Sequence, residues 1–265
     1  MINVDAFFND STVNVFTDAS IKNHGQITES IAGAIIVRGT EDFKEQCYTR
    51  LLPSTNNEGE IYAIYMGILK CVEIKNICNG KYTTFNIFSD SRISVYGLRE
   101  WYLAWIKNSR EAFSDKLINS SGEEVKNQQL FIQCFNTILN NGIHINLYHI
   151  RGHINIKSKK DRKKFIKDFM ESNNITDIPS DNLIDALIHY NDIVDTTSRA
   201  LLLPRGKSAK IQTITAINKN IPCNEFQGLK IKSEYLFTHE MCKITKEKRK
   251  YQQLIRTTTN FNNKK

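Results

Sequence analysis

Three strand-like runs in quick succession, TVNVFTDAS, IAGAIIVRG and FKEQCYTRLL, stand ahead of one long helical stretch, and few folds accept that order. The first run alternates through Val13 and Val15 up to Asp18, where polar residues take over. Alternation of that kind is the period of a half-buried strand. A turn at 39–42 joins the second and third runs. Ile61, Ile64, Ile68 and Val72 then recur at helical spacing, predicting a helix over about 57–77 that Asn79 and Gly80 end. TTFNIFSD reads as a fourth strand closing at Asp90, and GIHINLYHI as a fifth. Helical segments are expected at about 91–108 and 126–140, with a last helix over about 191–202 stopped by Pro204. The order predicts an α/β fold with a mixed sheet. Its ligands should gather beyond the strand ends, where Asp18 and Asp90 stand.

Charge divides the chain. The net charge is +8, yet residues 205–265 hold fourteen Lys and Arg against four acids, which leaves the first 204 slightly acidic. A basic appendage on an acidic domain points to an anionic partner, nucleic acid first. Within the first part, 157–167 is a second basic run. Six scattered cysteines without a CxxC pair read as buried thiols in a reducing compartment. The first residues lack the pattern of a secretory signal, and no apolar run approaches a membrane span, so a cytoplasmic location is expected.

STNNEGEIYAI raises a choice. Glu58 and Glu60 lie two apart, about 200° around a helix, so they cannot share one target. Glu60 falls on the side of Ala63, Ile64 and Gly67, and Glu58 on that of Ile61 and Tyr62. The local pattern leans to Glu60 without deciding.

Taken singly, an aspartate after a strand is a turn or cap residue more often than a catalyst. Taken together, five stretches resemble the type 1 ribonuclease H family. VFTDAS is similar to its first-strand motif, STNNEGEI to its Thr-Asn-Asn-x-x-Glu, and IFSDS to its fourth-strand motif. HIRGH is similar to the Gly-His after the fifth strand, and NDIVDTTSRAL to the Asn-x-x-x-Asp at the opening of the last helix. Trp101 and Trp105 fall where the family carries two tryptophans, and VKNQQLF matches the start of the next helix. The resemblance covers about 12–153 and 190–203. It selects Glu60 over Glu58 and Asp195 over Asp192.

The resemblance implies a five-stranded mixed sheet, three antiparallel strands plus two parallel, flanked by helices. It also implies a metal-dependent endoribonuclease that cuts the RNA strand of RNA/DNA hybrids and leaves 5′-phosphates. Asp18, Glu60, Asp90 and Asp195 would hold two Mg²⁺ ions, for which Mn²⁺ can substitute. Asp18 would bridge them, Glu60 and Asp90 would hold the ion on the leaving-group side, and Asp195 the one that activates water. Hard cations want several carboxylate oxygens, and a pair of ions clamps both the attacking and the leaving oxygen. His153 would assist proton transfer or product departure. Its plain alternative is a surface histidine. Asn56, Asn57 and Arg92 would contact ribose 2′-hydroxyls, and one of Trp101 and Trp105 would lie along the DNA strand, unless both serve as core aromatics. Two other readings stay open: a non-hydrolytic hybrid-binding module, and another nuclease or strand-transfer enzyme of the same superfamily.

The chain departs from the family in two places. The segment after Trp105 is neutral where relatives carry a basic protrusion, and 154–190 is far longer than the corresponding loop. The expected organisation is a catalytic domain over 1–205 with an inserted basic segment at about 154–190. A basic extension over 206–265 would follow, with a cationic helix near 234–256, serving nucleic-acid affinity or a partner protein. The domain is expected to be monomeric.

Overall fold

β1 (Thr12–Asn23) is the strand on which the rest is built, in a computed structural model that describes residues 2–23, 28–40, 44–51, 53–109, 116–155 and 158–202. It pairs antiparallel with β2 (Thr28–Arg38), which pairs antiparallel with β3 (Lys44–Leu51). On its other side it runs parallel to β4 (Thr84–Ser89), and β4 runs parallel to β5 (Ile145–His149). The sheet order is β3-β2-β1-β4-β5, the five-stranded mixed sheet expected. The linker after Pro204 and the cationic helix near 234–256 lie outside the described residues. Among those described, no helix is long and apolar enough to cross a membrane.

Alternate side chains of β1 feed two cores. Val13 and Val15 face α1 (Asn56–Ile77), packing with Ile64, Ile68 and Ile87. Phe16 joins Phe88, Ile31 and Ile35 on the opposite face, beneath α6 (Asp181–Ala200). α1 lies on β1 and β2 and is covered outside by α4 (Gln128–Asn140). It is therefore apolar on most sides, and its sequence pattern is blurred for that reason. Its start is sharp: Thr55 and Glu58 form a reciprocal capping box, Glu58 N donating to Thr55 Oγ1 at 3.2 Å.

Three asparagines fix the register of the parallel strands. Asn14, Asn86 and Asn146 stand side by side on β1, β4 and β5. Asn86 Nδ2 donates to Asn14 Oδ1 at 2.9 Å, and Asn146 Nδ2 to Asn86 Oδ1 at 3.0 Å. A slip of one residue would leave these amides among apolar side chains with no partner.

The segment after Asp90 is not one uniform helix. α2 (Arg92–Tyr96) passes through a π-helical turn (Gly97–Trp101) into α3 (Tyr102–Asn108). The described residues of the expected inserted segment form helices too. The segment holds α5 (Lys159–Ser172), capped by Ser158, and the first half of α6, capped by Ser180 just after Pro179. Phe165 and Phe169 of α5 are fully buried in the second core. Burial of two phenylalanines contributes about 3–6 kcal/mol at most, so α5 is an integral layer. At its end, Asn173 accepts from His149 N at 2.9 Å and donates to His149 O at 2.7 Å. That amide pairs with the open edge of β5 as a neighbouring strand would.

Two sequence expectations are corrected. Asp18 does not close β1, because pairing with β2 carries on to Asn23. The last helix begins at Asp181, ten residues before the expected 191, so Asp195 lies in its interior and caps nothing. Leu183, Ile184, Leu187, Ile188, Asn191 and Val194 are buried at helical spacing through that stretch, which is why the helix starts early.

Candidate active site

The paired strands bring Asp18 and Asp90 together. Parallel pairing of β1 with β4 ends at Thr17 opposite Ser89, so Asp18 and Asp90 are the next residues along these two adjacent segments. Asp18 sits where β1 outruns its parallel partner, which is why it need not be a strand end. Glu60 comes from the second turn of α1. Gly59 lets that turn lie on the strands: a Cβ there would be 3.0 Å from Ala19 Cβ and would collide with Ser30 Oγ.

Asp18, Glu60 and Asp90 each present an oxygen within 4.8 Å of the others. Asp18 and Glu60 are buried. Burial and the neighbouring Asp90 and Asp195 charges push the Asp18 carboxyl up to about 8. Glu60 is pushed well above the carboxylate range by burial and then by Asp18 and Asp90. Asp90 is raised by burial and Asp195, against the opposing pull of His153. Crowded, buried carboxylates resist ionising together.

The three fit a divalent metal. Glu60 Oε2 is buried with no hydrogen-bond partner, and among the described residues no lysine or arginine is ion-paired with Asp18, Glu60 or Asp90. Oxygen donors from three separate elements, short of positive charge, are what a hard cation takes.

Asp195 stands at the margin. It is close enough to raise Asp18, Glu60 and Asp90, but it is not in the 4.8 Å group. Arg199, one turn on, donates to both its oxygens at 2.7 Å. Helical geometry separates it from Asp192: Asp195 is half-buried and Asp192 exposed. His153 Nδ1 lies 3.5 Å from Asp195 Oδ2, and its ring is otherwise largely in solvent. Its backbone is left-handed, at φ 53°.

The remaining candidate residues lie outside the carboxylate group. Asn56 and Asn57 are exposed on the first turn of α1. The Arg92 guanidinium lies 5.2 Å from the Tyr96 ring centre, in a cleft of about 460 Å³ that Asp90 borders. Trp105 packs edge-on against Phe131, while Trp101, 6.0 Å from it, is 39% exposed. The two tryptophans thus divide between the core and the surface.

Sequence reasoning passed over two residues here. Arg199 stands four residues after Asp195, a spacing that signals a helical ion pair. Gly152 was read as part of a motif but not for its reason. A Cβ at 152 would lie 3.0 Å from Asp90 Cγ and would collide with Oδ2. Gly152→Ala should therefore displace the Asp90 carboxylate and weaken cation binding without harming the core. The rise in melting temperature on adding Mn²⁺ measures this. A full wild-type rise in the variant would remove this role.

The RNase H family model matches residues 10–163, which include Asp18, Glu60, Asp90 and His153 and end before α6. No curated protein matches the sequence. A foamy viral protease-reverse transcriptase solved with an RNA/DNA hybrid is similar at 15% identity and TM-score 0.45, over 65% of this chain and 21% of that one. The chain thus spans about a fifth of that protein's length. The PFV RNase H domain is similar at 15% identity and TM-score 0.43, over 69% of this chain and 94% of that one. LC9-RNase H1, a type 1 RNase H with the type 2 active-site motif, is similar at 16% identity and TM-score 0.38, over 62% and 75%. At such distances the family match alone carries weight.

Proposed function

Because the chain belongs to the RNase H family, we propose that it is a divalent-metal-dependent endonuclease that hydrolyses the RNA strand of RNA/DNA hybrids. The observation that supports this most is the trio Asp18, Glu60 and Asp90, two of them buried, brought together from three separate segments inside the family match.

Asp18, Glu60 and Asp90 would hold the metal, with Asp195 completing the set once Arg199 releases it. Two Mg²⁺ ions, or Mn²⁺ in their place, would supply an activated water and charge stabilisation for the leaving 3′ oxygen. The chain's own side chains do the rest. The shielded corner keeps the carboxylates from bulk water, which strengthens their hold on positive charge. His153 sits between Asp195 and solvent, a position from which its imidazole can carry a proton to the departing oxygen. Asn56, Asn57 and Arg92 are exposed and would test for ribose 2′-hydroxyls, the group that separates RNA from DNA. The products are 5′-phosphates. Residues 1–205 are proposed as the catalytic domain and 206–265 as an affinity or partner-binding extension.

A substrate panel tests the specificity. With Mg²⁺, the RNA strand of a hybrid should be cut internally while duplex DNA of the same sequence is left whole. Cleavage of duplex DNA at a similar rate would favour another nuclease of the superfamily. Binding of the hybrid with no cleavage would favour the non-hydrolytic module.

The last helix offers a paired test. Asp195→Asn should cut the rate at least tenfold, about 1.4 kcal/mol or more of barrier, and Asp192→Asn should leave it near wild type. Thermal melts must accompany the kinetics. Equal losses in both variants at matched stability would refute the choice of Asp195.

A further inference from the structure

We propose that the outer face of α5 is a docking surface for a nucleic-acid phosphate backbone, with Lys160 and Lys164 as its principal contacts and Lys167 continuing the row. This deepens the nuclease reading and rests on it only for the identity of the nucleic acid.

The helix is held rigidly. Phe165 and Phe169 anchor one side in the core, and Asn173 ties its end to the edge of β5. Arg99 donates to Ser172 O at 2.7 Å, and the Tyr96 hydroxyl does so at 3.1 Å. A platform fixed along one side and at its C-terminal end loses little entropy when it binds.

The lysines face the right way. Asp168 and Glu171 of α5 line the same cleft as Asp90, Arg92 and Arg151. Lys164 precedes Asp168 by four residues, and Lys160 precedes Lys164 by four, so the row leads away from that cleft along one helical face. Lys160, Lys164 and Lys167 are all exposed. Along the axis they span roughly 10 Å, the rise of about three nucleotides of one strand.

The charge of Lys160 and Lys164 is also uncommitted. Arg162 is engaged by Asp181 and Asp185, and Arg151 by Asp168 at 2.7 Å. Lys167 has only Glu171 at 3.7 Å, and among the described residues Lys160 and Lys164 have no acidic partner. Asp168 and Glu171 are taken up by Arg151 and Lys167, which leaves Lys160 and Lys164 as the open cations of the row.

The test compares two charge-matched double variants of the full chain, each carrying Asp18→Asn so that the hybrid survives. One is K160Q/K164Q. The control is K75Q/K81Q, at the end of α1 and in the turn before β4, away from Asp90. Affinity for a labelled RNA/DNA hybrid is measured from low to moderate salt. The α5 pair should flatten the log–log salt slope by about 1.4–1.8, the loss of two phosphate contacts, and the control pair should leave it unchanged. An unchanged slope in the α5 variant, or equal flattening in both, overturns the proposal. Cleavage by the unmodified chain is scored separately. An active nuclease with an unchanged slope loses only the α5 surface, and a flattened slope in a chain that never cleaves keeps the surface and removes the nuclease reading.

Discussion

Asp18→Asn should abolish hybrid cleavage while the hybrid still binds. The change removes one charge from the centre of the carboxylate trio and almost no volume. Charge stabilisation by metal is worth several kcal/mol in such reactions, so the loss should be on the order of a thousandfold or more. Near wild-type turnover in this variant would contradict the placement of the metal.

The same substitution should stabilise the metal-free fold. Burial, with the Asp90 and Asp195 charges, pushes the folded Asp18 carboxyl up to about 8, from 3.8 ordinarily. The folded chain therefore binds this proton more tightly than the unfolded one. Its contribution to stability is complete below about pH 3.8 and is lost as pH rises through 8. Asparagine mimics the protonated form at every pH. In chelator at pH 8 or above, the variant should thus melt higher than wild type, and the gap should close toward pH 4. A divalent cation should restore wild type and do less for the variant. A variant that melts lower than wild type in chelator at alkaline pH would show that the trio is not under strain.

The second large effect separates the two glutamates. Glu60→Gln should reduce cleavage on the order of a hundredfold or more, a few kcal/mol of the metal's charge stabilisation. Glu58→Gln should change it little, and could improve binding by removing an acid near the substrate. The structure supplies the reason for the mild arm: Glu58 belongs to the capping box with Thr55, and glutamine can fill that place. Comparable losses in both variants, or the reverse order, would mean that the wrong face of α1 was chosen.

Most of the sheet was legible because its strands alternate or run apolar between clear turns. The Thr55 to Glu60 stretch announced the start of α1, and the motif register selected the buried glutamate where local pattern only leaned. Polar residues inside the fold were the obscure part. SIKN after Asp18 looks like a turn, yet β1 continues there because β2 is long enough to pair with it. Asn14, Asn86 and Asn146 look like interruptions, and their meaning depends on a register that only the assembled strands reveal. The dense lysines of 157–167 hid Phe165 and Phe169, so α5 passed for a charged insertion. The early start of α6 could have been found from its buried spacing and from Ser180, but the motif at 191–195 drew the boundary to itself. Likewise Gly152 is a requirement of Asp90, a residue sixty-two positions earlier, and no local pattern carries that.

The central claim is metal-dependent cleavage of RNA in a hybrid, and one assay meets it directly. The full chain is incubated with an RNA/DNA hybrid labelled along the RNA strand, with Mg²⁺, with Mn²⁺ and with EDTA, alongside Asp18→Asn. Internal RNA fragments ending in 5′-phosphate should appear with either cation and in neither the EDTA nor the Asp18→Asn lane. An intact RNA strand under every condition, or fragments that persist in EDTA, would contradict the account.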